Sequence, residues 1–239
     1  MKFMMMHKHD PRTEAGEKPP ASLIAAMGAL VGGMAQSGKL LDGAGLGASA
    51  DRARLTFKRG ERTLVHGPFK GSDGELPAGY TMVKVRSRDE AISWASKIAA
   101  AIGGDLELEV GKVNEPWDIG IGEKPADAPL RYLIIHKATP SSEAGKLPDL
   151  AVVKKEMADQ GVLLTSAELT PSSRGKRMTW RGGSRKIIDG PFAESKELIG
   201  GYCVIDLASM EDCAALGLTY AEILLTVSEN LEIDIRPVA

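Results

Sequence analysis

The same pattern occurs twice in this chain. His7-Lys8, Glu14-Ala15-Gly16 and Pro19 return as His136-Lys137, Glu143-Ala144-Gly145 and Pro148 at a spacing of 129 residues. Gly67-Pro68-Phe69 returns as Gly190-Pro191-Phe192 at 123, and Gly79-Tyr80 as Gly201-Tyr202 at 122. A repeat of this length is too long for a solenoid unit and matches a duplicated domain. The fold of one copy must therefore leave a surface on which a second copy fits. The echo divides the chain into residues 1–112, a linker over 113–129 and residues 130–239. With the two residues before it, the linker segment holds three prolines and three glycines, a semi-rigid tether long enough to let the copies dock.

Composition bounds what the copies can do. Of 239 residues 43% are apolar and 26% charged, enough for each half to bury a core. The 30 basic residues are scattered among 32 acidic ones for a net charge of -2, so no basic stripe suggests a nucleic-acid groove. Cys203 and Cys213 match no zinc spacing and give no disulfide framework, which leaves them as reduced packing residues. The longest uncharged stretch, residues 21–37, is broken by Gly28, Gly32 and Gly33 and falls short of the roughly 20 apolar residues a membrane helix needs. Residues 2–6 are too short for a signal-peptide core. A cytoplasmic protein is expected.

Each copy reads as strand, helix, strands, helix, strand. Residues 3–7 and 132–136 are short apolar runs ended by His-Lys, which predicts strands covered on both faces. Leu23, Met27, Leu30 and Met34 fall at helical spacing, as do Leu150, Val153 and Met157, so each first helix turns one face to a sheet. The three glycines inside the first of these helices cost roughly 1 kcal/mol each relative to alanine, and close packing of the helix backbone is the expected compensation. Residues 55–57 with 63–65, and 178–180 with 186–188, flank glycine-bearing turns and predict hairpins. Residues 80–85 and 202–207 read as strands. Ser87 and Ser209 then cap helices whose first turns carry Asp89, Glu90, Glu211 and Asp212. Residues 106–110 and 231–235 supply closing strands.

This order gives the class α+β: tandem ferredoxin-like βαββαβ units, each with both helices on one face of an antiparallel sheet. Strands apolar on both sides need cover on the other face as well, and the duplicate is the nearest cover. Two facing sheets would close an intramolecular α+β barrel with approximate two-fold symmetry.

Asp189-Gly190-Pro191-Phe192, followed by Ala193-Glu194-Ser195-Lys196-Glu197-Leu198 and Gly200-Gly201-Tyr202, closely resembles the signature of the YCII-related family, in the branch named for its Asp-Gly-Pro-Phe (DGPF) motif. Residues 232–238 resemble the family's closing strand, and Glu90-Ala91-Ile92 with Trp94-Ala95 its second helix. The likeness covers nearly the whole chain as two copies. It implies a dimeric α+β barrel and a site built from a His at the end of the first strand and the Asp of the motif.

Carried over residue by residue, that pair is His136 and Asp189 in the second copy. The first copy keeps His7 but has His66 at the Asp position, which marks it as a degenerate or regulatory site, or one with a different ligand. A carboxylate beside an imidazole fixes its tautomer and raises its pKa, giving a general acid or base near neutral pH. Asp189 has a structural reading too, as a cap of the Gly-Pro turn. Arg62 and Arg185 precede the motif at matching positions, either solvating a sheet edge or holding an anionic group with a planar fork. With no further ligand cluster beside them, His7 and His9 make no metal site. No dinucleotide, phosphate-loop or serine-hydrolase motif occurs, so no cofactor is expected. Two function classes follow. One is a cofactor-free lyase or isomerase in which His136 moves a proton on a small molecule. The other is a non-catalytic ligand-binding or regulatory module, since the resemblance includes relatives associated with alternative sigma factors. The expected partner is a small-molecule ligand, with no direct nucleic-acid or membrane contact, in a monomeric pseudo-dimer or a homodimer.

Overall fold

Lys2–Lys8 (β1) is apolar on both faces, and the strands that flank it come from the far end of the chain. The computed structural model describes all residues except 72–75, 193 and 195–197. After β1 come Pro11–Glu14 (α1), Ala21–Gln36 (α2), Leu40–Gly45 (β2), Ala53–Lys58 (β3), Glu61–His66 (β4), Pro77–Val85 (β5), Arg88–Ile102 (α3) and Leu106–Lys112 (β6). The second repeat gives Leu130–Lys137 (β7), Pro140–Glu143 (α4), Ala151–Asp159 (α5), Leu163–Glu168 (β8), Lys176–Arg181 (β9), Ser184–Asp189 (β10), Ile199–Asp206 (β11), Met210–Leu224 (α6) and Leu231–Pro237 (β12).

The predicted local elements form for the expected reasons. Arg59-Gly60 and Gly182-Gly183 all have positive φ, the backbone that a two-residue hairpin turn with the right twist requires. The Ser87 hydroxyl accepts from Glu90 N at 3.2 Å and the Ser209 hydroxyl from Asp212 N at 3.0 Å, capping α3 and α6. Cys203 and Cys213 are free and buried. Among the described residues no helix is long and apolar enough to cross a membrane.

The twelve strands form two six-stranded antiparallel sheets, β10-β9-β12-β1-β11-β2 and β4-β3-β6-β7-β5-β8. Each is a ferredoxin-like sheet extended by a hairpin, but neither is made from one repeat. β1 and β2 of the first repeat join β9 to β12 of the second, while β7 and β8 of the second join β3 to β6 of the first. The two repeats exchange their opening strand-helix-strand segments.

Helices α2 and α6 cover the outer face of the first sheet around Phe3, Met5, Ile205 and Ile233, and α3 and α5 cover the second around Leu55, Leu108 and Ile134. The inner faces meet through Met4, Met6, Tyr80, Met82, Leu133, Ile135 and Tyr202, with the Tyr80 and Tyr202 rings 5.6 Å apart. Burying each such side chain contributes about 1.5–3 kcal/mol. The closed barrel expected from the sequence does not form. The sheets stay separate, tied at two corners by single bridges, Leu46 to Val113 and Leu169 to Val238. The glycines of α2 also depart from expectation. A side chain added at Gly28, Gly32 or Gly33 would meet nothing within 4 Å, so no close packing of the helix backbone compensates for them.

Candidate functional site

Strand alternation decides which way each repeated His-Lys pair points. On β1 the side chains of Met4, Met6 and Lys8 face the other sheet, and those of Phe3, Met5 and His7 face the helices. On β7, Leu133 and Ile135 face inward with Lys137, while Tyr132, Ile134 and His136 face outward. Both histidines therefore lie beneath helices, outside the space between the sheets.

His136 is 3% exposed. Its Nε2 lies 2.8 Å from Glu168 Oε2 on β8, and Glu168 also meets Lys154 of α5 at 3.5 Å. The ring passes over Gly79, where an added Cβ would sit 2.3 Å from its Cε1. Asp189 does not meet this histidine. The exchange leaves β10 in the first sheet and β7 in the second, so Asp189 stands at an outer strand end, 80% exposed at its side chain and paired with Lys176. His66 and Arg62 are exposed on edge strand β4, and Arg185 is exposed on edge strand β10; these three solvate the edges. Of the motif that follows Phe192, Ala193, Ser195, Lys196 and Glu197 lie outside the described residues.

His7 has a different setting. Its Nδ1 is 2.9 Å from the Tyr220 hydroxyl on α6, an element of the opposite repeat. Above this pair, between α2, α6 and the outer face of the first sheet, lies a cavity of about 670 Å³ that extends to the edge of β2. Leu23, Ile24, Met27 and Val31 of α2 line it, facing His7, His9, Cys203 and Tyr220. Burial lowers the pKa of His7 from 6.5 to about 4, helped by the neighbouring charges of His9 and Lys8 and opposed by Asp10. Burial, then the Arg52 charge, also lowers His9, whose Nε2 is 3.3 Å from the Leu46 carbonyl and whose Nδ1 is 3.7 Å from Glu14. Burial raises the Tyr220 phenol, and pushes the Cys203 thiol up to about 12. The cavity floor is thus uncharged at neutral pH. Among the described residues no cluster of three or more His, Cys, Asp or Glu converges to hold a metal ion.

The low His7 value has a consequence for stability. Its folded pKa lies below the unfolded one, so the unfolded chain takes up the proton first. The contribution is fully present above pH 6.5 and is lost as pH falls toward about 4. Urea unfolding of wild type and His7→Gln across that window should show the wild type losing up to about 3 kcal/mol more than the variant. Parallel curves would show that His7 is no more buried than in the unfolded chain.

The inner face carries the repeated charges. Asp234 accepts two bonds from Arg177, at 2.6 and 2.8 Å, and lies 3.1 Å from Lys8. Glu109 sits among Arg52 at 2.8 Å, Arg54 at 3.6 Å and the charge of Lys137. In each copy the Phe of Gly-Pro-Phe covers the arginine, Phe69 at 4.3 Å from Arg54 and Phe192 at 4.7 Å from Arg177. The repeated turn and the repeated charge cluster form one structural unit, present in both halves.

A model of the YCII-related domain matches residues 1–108 and again residues 130–218. The chain belongs to the YCII-related family. An uncharacterised protein of Rhizobium meliloti (strain 1021) is 30% identical over 92 residues, spanning 38% of this chain and 71% of that protein. No solved structure matches the chain.

Within these YCII-related repeats, Tyr220 and Glu168 are the residues that motif reading missed. At the repeat spacing of 122 Tyr220 corresponds to Ile98, and at 123 Glu168 corresponds to Gly45. Each stands where its copy differs from the other, so no shared motif announces it. A polar residue in one repeat facing an apolar one or glycine in the other was the available signal.

Proposed function

We propose that the protein binds a small molecule in the cavity beneath α2, with the His7–Tyr220 pair as its polar anchor. The observation that carries this reading is the cavity itself: about 670 Å³, walled by an apolar helix face and floored by a hydrogen-bonded imidazole and phenol. This is the usual form of a ligand site, mostly apolar with a few placed polar groups. Binding is favoured over turnover there because an imidazole with a pKa of about 4 is a weak base at neutral pH. Such a binding module has no need of a cofactor, fits the ligand-sensing class and leaves open a link to transcription. The Asp189-Gly190-Pro191-Phe192 sequence supports placing the second repeat in the DGPF branch, and two reduced, buried thiols agree with a cytoplasmic protein.

A second reading, proton transfer of the lyase or isomerase type, rests on His136. Its support is the 2.8 Å contact with Glu168, which would orient the ring as Asp189 was expected to do. A metabolite-library thermal-shift screen on wild type, Tyr220→Phe and His136→Ala separates the two. The cavity reading expects ligands whose stabilisation is reduced in Tyr220→Phe and kept in His136→Ala. Ligands lost only in His136→Ala would move the site to the second sheet.

A further inference from the structure

We infer that the cavity selects an uncharged ligand: an apolar body carrying one oxygen acceptor, such as a ketone, ether or alcohol, seated on the His7–Tyr220 pair. The inference rests on the binding reading above and adds the ligand's chemical class. Two features of the site support it.

The first is that the pair offers a donor whichever way its own hydrogen bond runs. If Tyr220 donates to His7 Nδ1, the neutral ring carries its proton on Nε2. If His7 Nδ1 donates to Tyr220, the phenol O–H is released. Among the described residues the ring's only hydrogen bond is the one to Tyr220. An acceptor oxygen on the ligand is satisfied in either state, and because His7 is neutral and the phenol protonated, that donor carries no formal charge.

The second feature is what an anion would find. Lys8 lines the cavity, but its ammonium lies on the other face of the sheet, 3.1 Å from Asp234. Lys112 and Arg131 at the rim are already held by Asp118 at 3.2 Å and Glu115 at 2.6 Å, and Lys18 stands in solvent. Asp10 and Asp51 line the same cavity with negative charge. A carboxylate on the ligand would be desolvated against leucine, isoleucine and methionine with its charge uncompensated, which is costly. The α2 wall selects in the same direction: its inward side is Leu23, Ile24, Met27 and Val31, and the glycines beside them add no polar group.

Three probes of nearly equal shape test the class on the full chain: 2-acetylnaphthalene, 2-naphthoate and 2-ethylnaphthalene, titrated at pH 7.5 by fluorescence. The expected result is that the ketone binds at least tenfold more tightly than the carboxylate and more tightly than the ethyl compound. That advantage over the ethyl compound should disappear in the double variant His7→Phe/Tyr220→Phe, which removes both donors. If the double variant folds poorly, Tyr220→Phe alone, which keeps the ring's volume, should reduce the ketone's advantage, because the His7 proton is then no longer held on Nε2. A carboxylate that binds as tightly as the ketone overturns the ligand class while leaving a small-molecule site beneath α2. An ethyl compound equal to the ketone overturns the polar anchor. If none of the three binds, the ligand class is wrong, and the library screen decides the binding reading independently.

Discussion

Replacing Asp234 by alanine is expected to destabilise the protein by about 3–5 kcal/mol, the range for removing one partner of a buried ion pair. Asp234 is 2% exposed and holds Lys8 and Arg177 together on the inner face of the first sheet. Burial pushes its carboxyl up, but the Lys8 ammonium and the Arg177 fork outweigh that and hold it below the ordinary carboxylate value. Its contribution is therefore present above the unfolded pKa and is lost as pH falls through the folded one. Without the carboxylate, Lys8, whose side chain is 2% exposed, keeps among the described residues only Glu232, at 4.0 Å. Urea unfolding at pH 7 measures the loss. Asp234→Asn, with the same volume, should lose most of the same stability, since charge and not packing is at issue. A loss under about 1 kcal/mol, the range of an exposed pair, would mean that the cluster is solvated.

The second large effect is expected at the glycines of the repeated turn. A Cβ at Gly67 would lie 1.7 Å from the Ser49 carbonyl oxygen, and one at Gly190 1.8 Å from that of Ser172. Both obstacles are backbone, so no side-chain rotation relieves them. The serines are themselves fixed: Glu14 accepts from the Ser49 amide at 3.0 Å and from its hydroxyl, and Glu143 does the same for Ser172, whose amide lies at 3.1 Å. Gly190→Ala and Gly67→Ala are each expected to cost at least about 3 kcal/mol, the upper end for overpacking, read as a fall in the urea midpoint at unchanged slope. Glu14-Ala15-Gly16 and Gly67-Pro68-Phe69, far apart in sequence, are thus parts of one corner. That shared corner explains why both are repeated in the second copy.

Much of the fold was legible because it is local. Hairpin turns at Arg59-Gly60 and Gly182-Gly183, caps at Ser87 and Ser209, and the two-faced apolar strands all follow from spacing over a few residues. The exchange between repeats was not legible, for a physical reason. β1 and β7 carry the same pattern, so the slot between β5 and β6 accepts either, and no side chain distinguishes pairing within a copy from pairing between copies. The tether resolves it: β6 runs on through residues 113–129 into β7 and pairs with it antiparallel, Leu108 opposite His136. Once β7 fills that slot, β1 is left to the strands β11 and β12.

The same ambiguity hid the sites. Read within one copy, His136 belongs with Asp189; in space its carboxylate is Glu168, because β8 lies beside β5 and both Glu168 and His136 flank Gly79. Read within one copy, His7 belongs with His66; in space it meets Tyr220. The arginines show the exchange from another side. Arg52 donates to the Gly47 carbonyl over Gly111, and Arg236 donates to the Thr170 carbonyl over Gly175. Arg52 answers to Gly175 at the spacing of 123, and Arg236 to Gly111 at the spacing of 125 that relates residues 231–235 to 106–110, so each sheet delivers its guanidinium from the opposite strand. Motif comparison aligns an arginine with a glycine at both positions and misses the shared geometry.

The cavity beneath α2 is assembled from both ends of the chain, with His7 and Tyr220 brought together by strand exchange. Cross-strand proton contacts measured by NMR test it most directly. The account predicts contacts between Met5 and Cys203 and between Met6 and Asp234, placing β1 between β11 and β12, with Ile134 against Thr81 in the other sheet. Contacts from β1 to Tyr80, Thr81 and Met82 of β5 instead would show each repeat keeping its own opening strand, and would separate His7 from Tyr220.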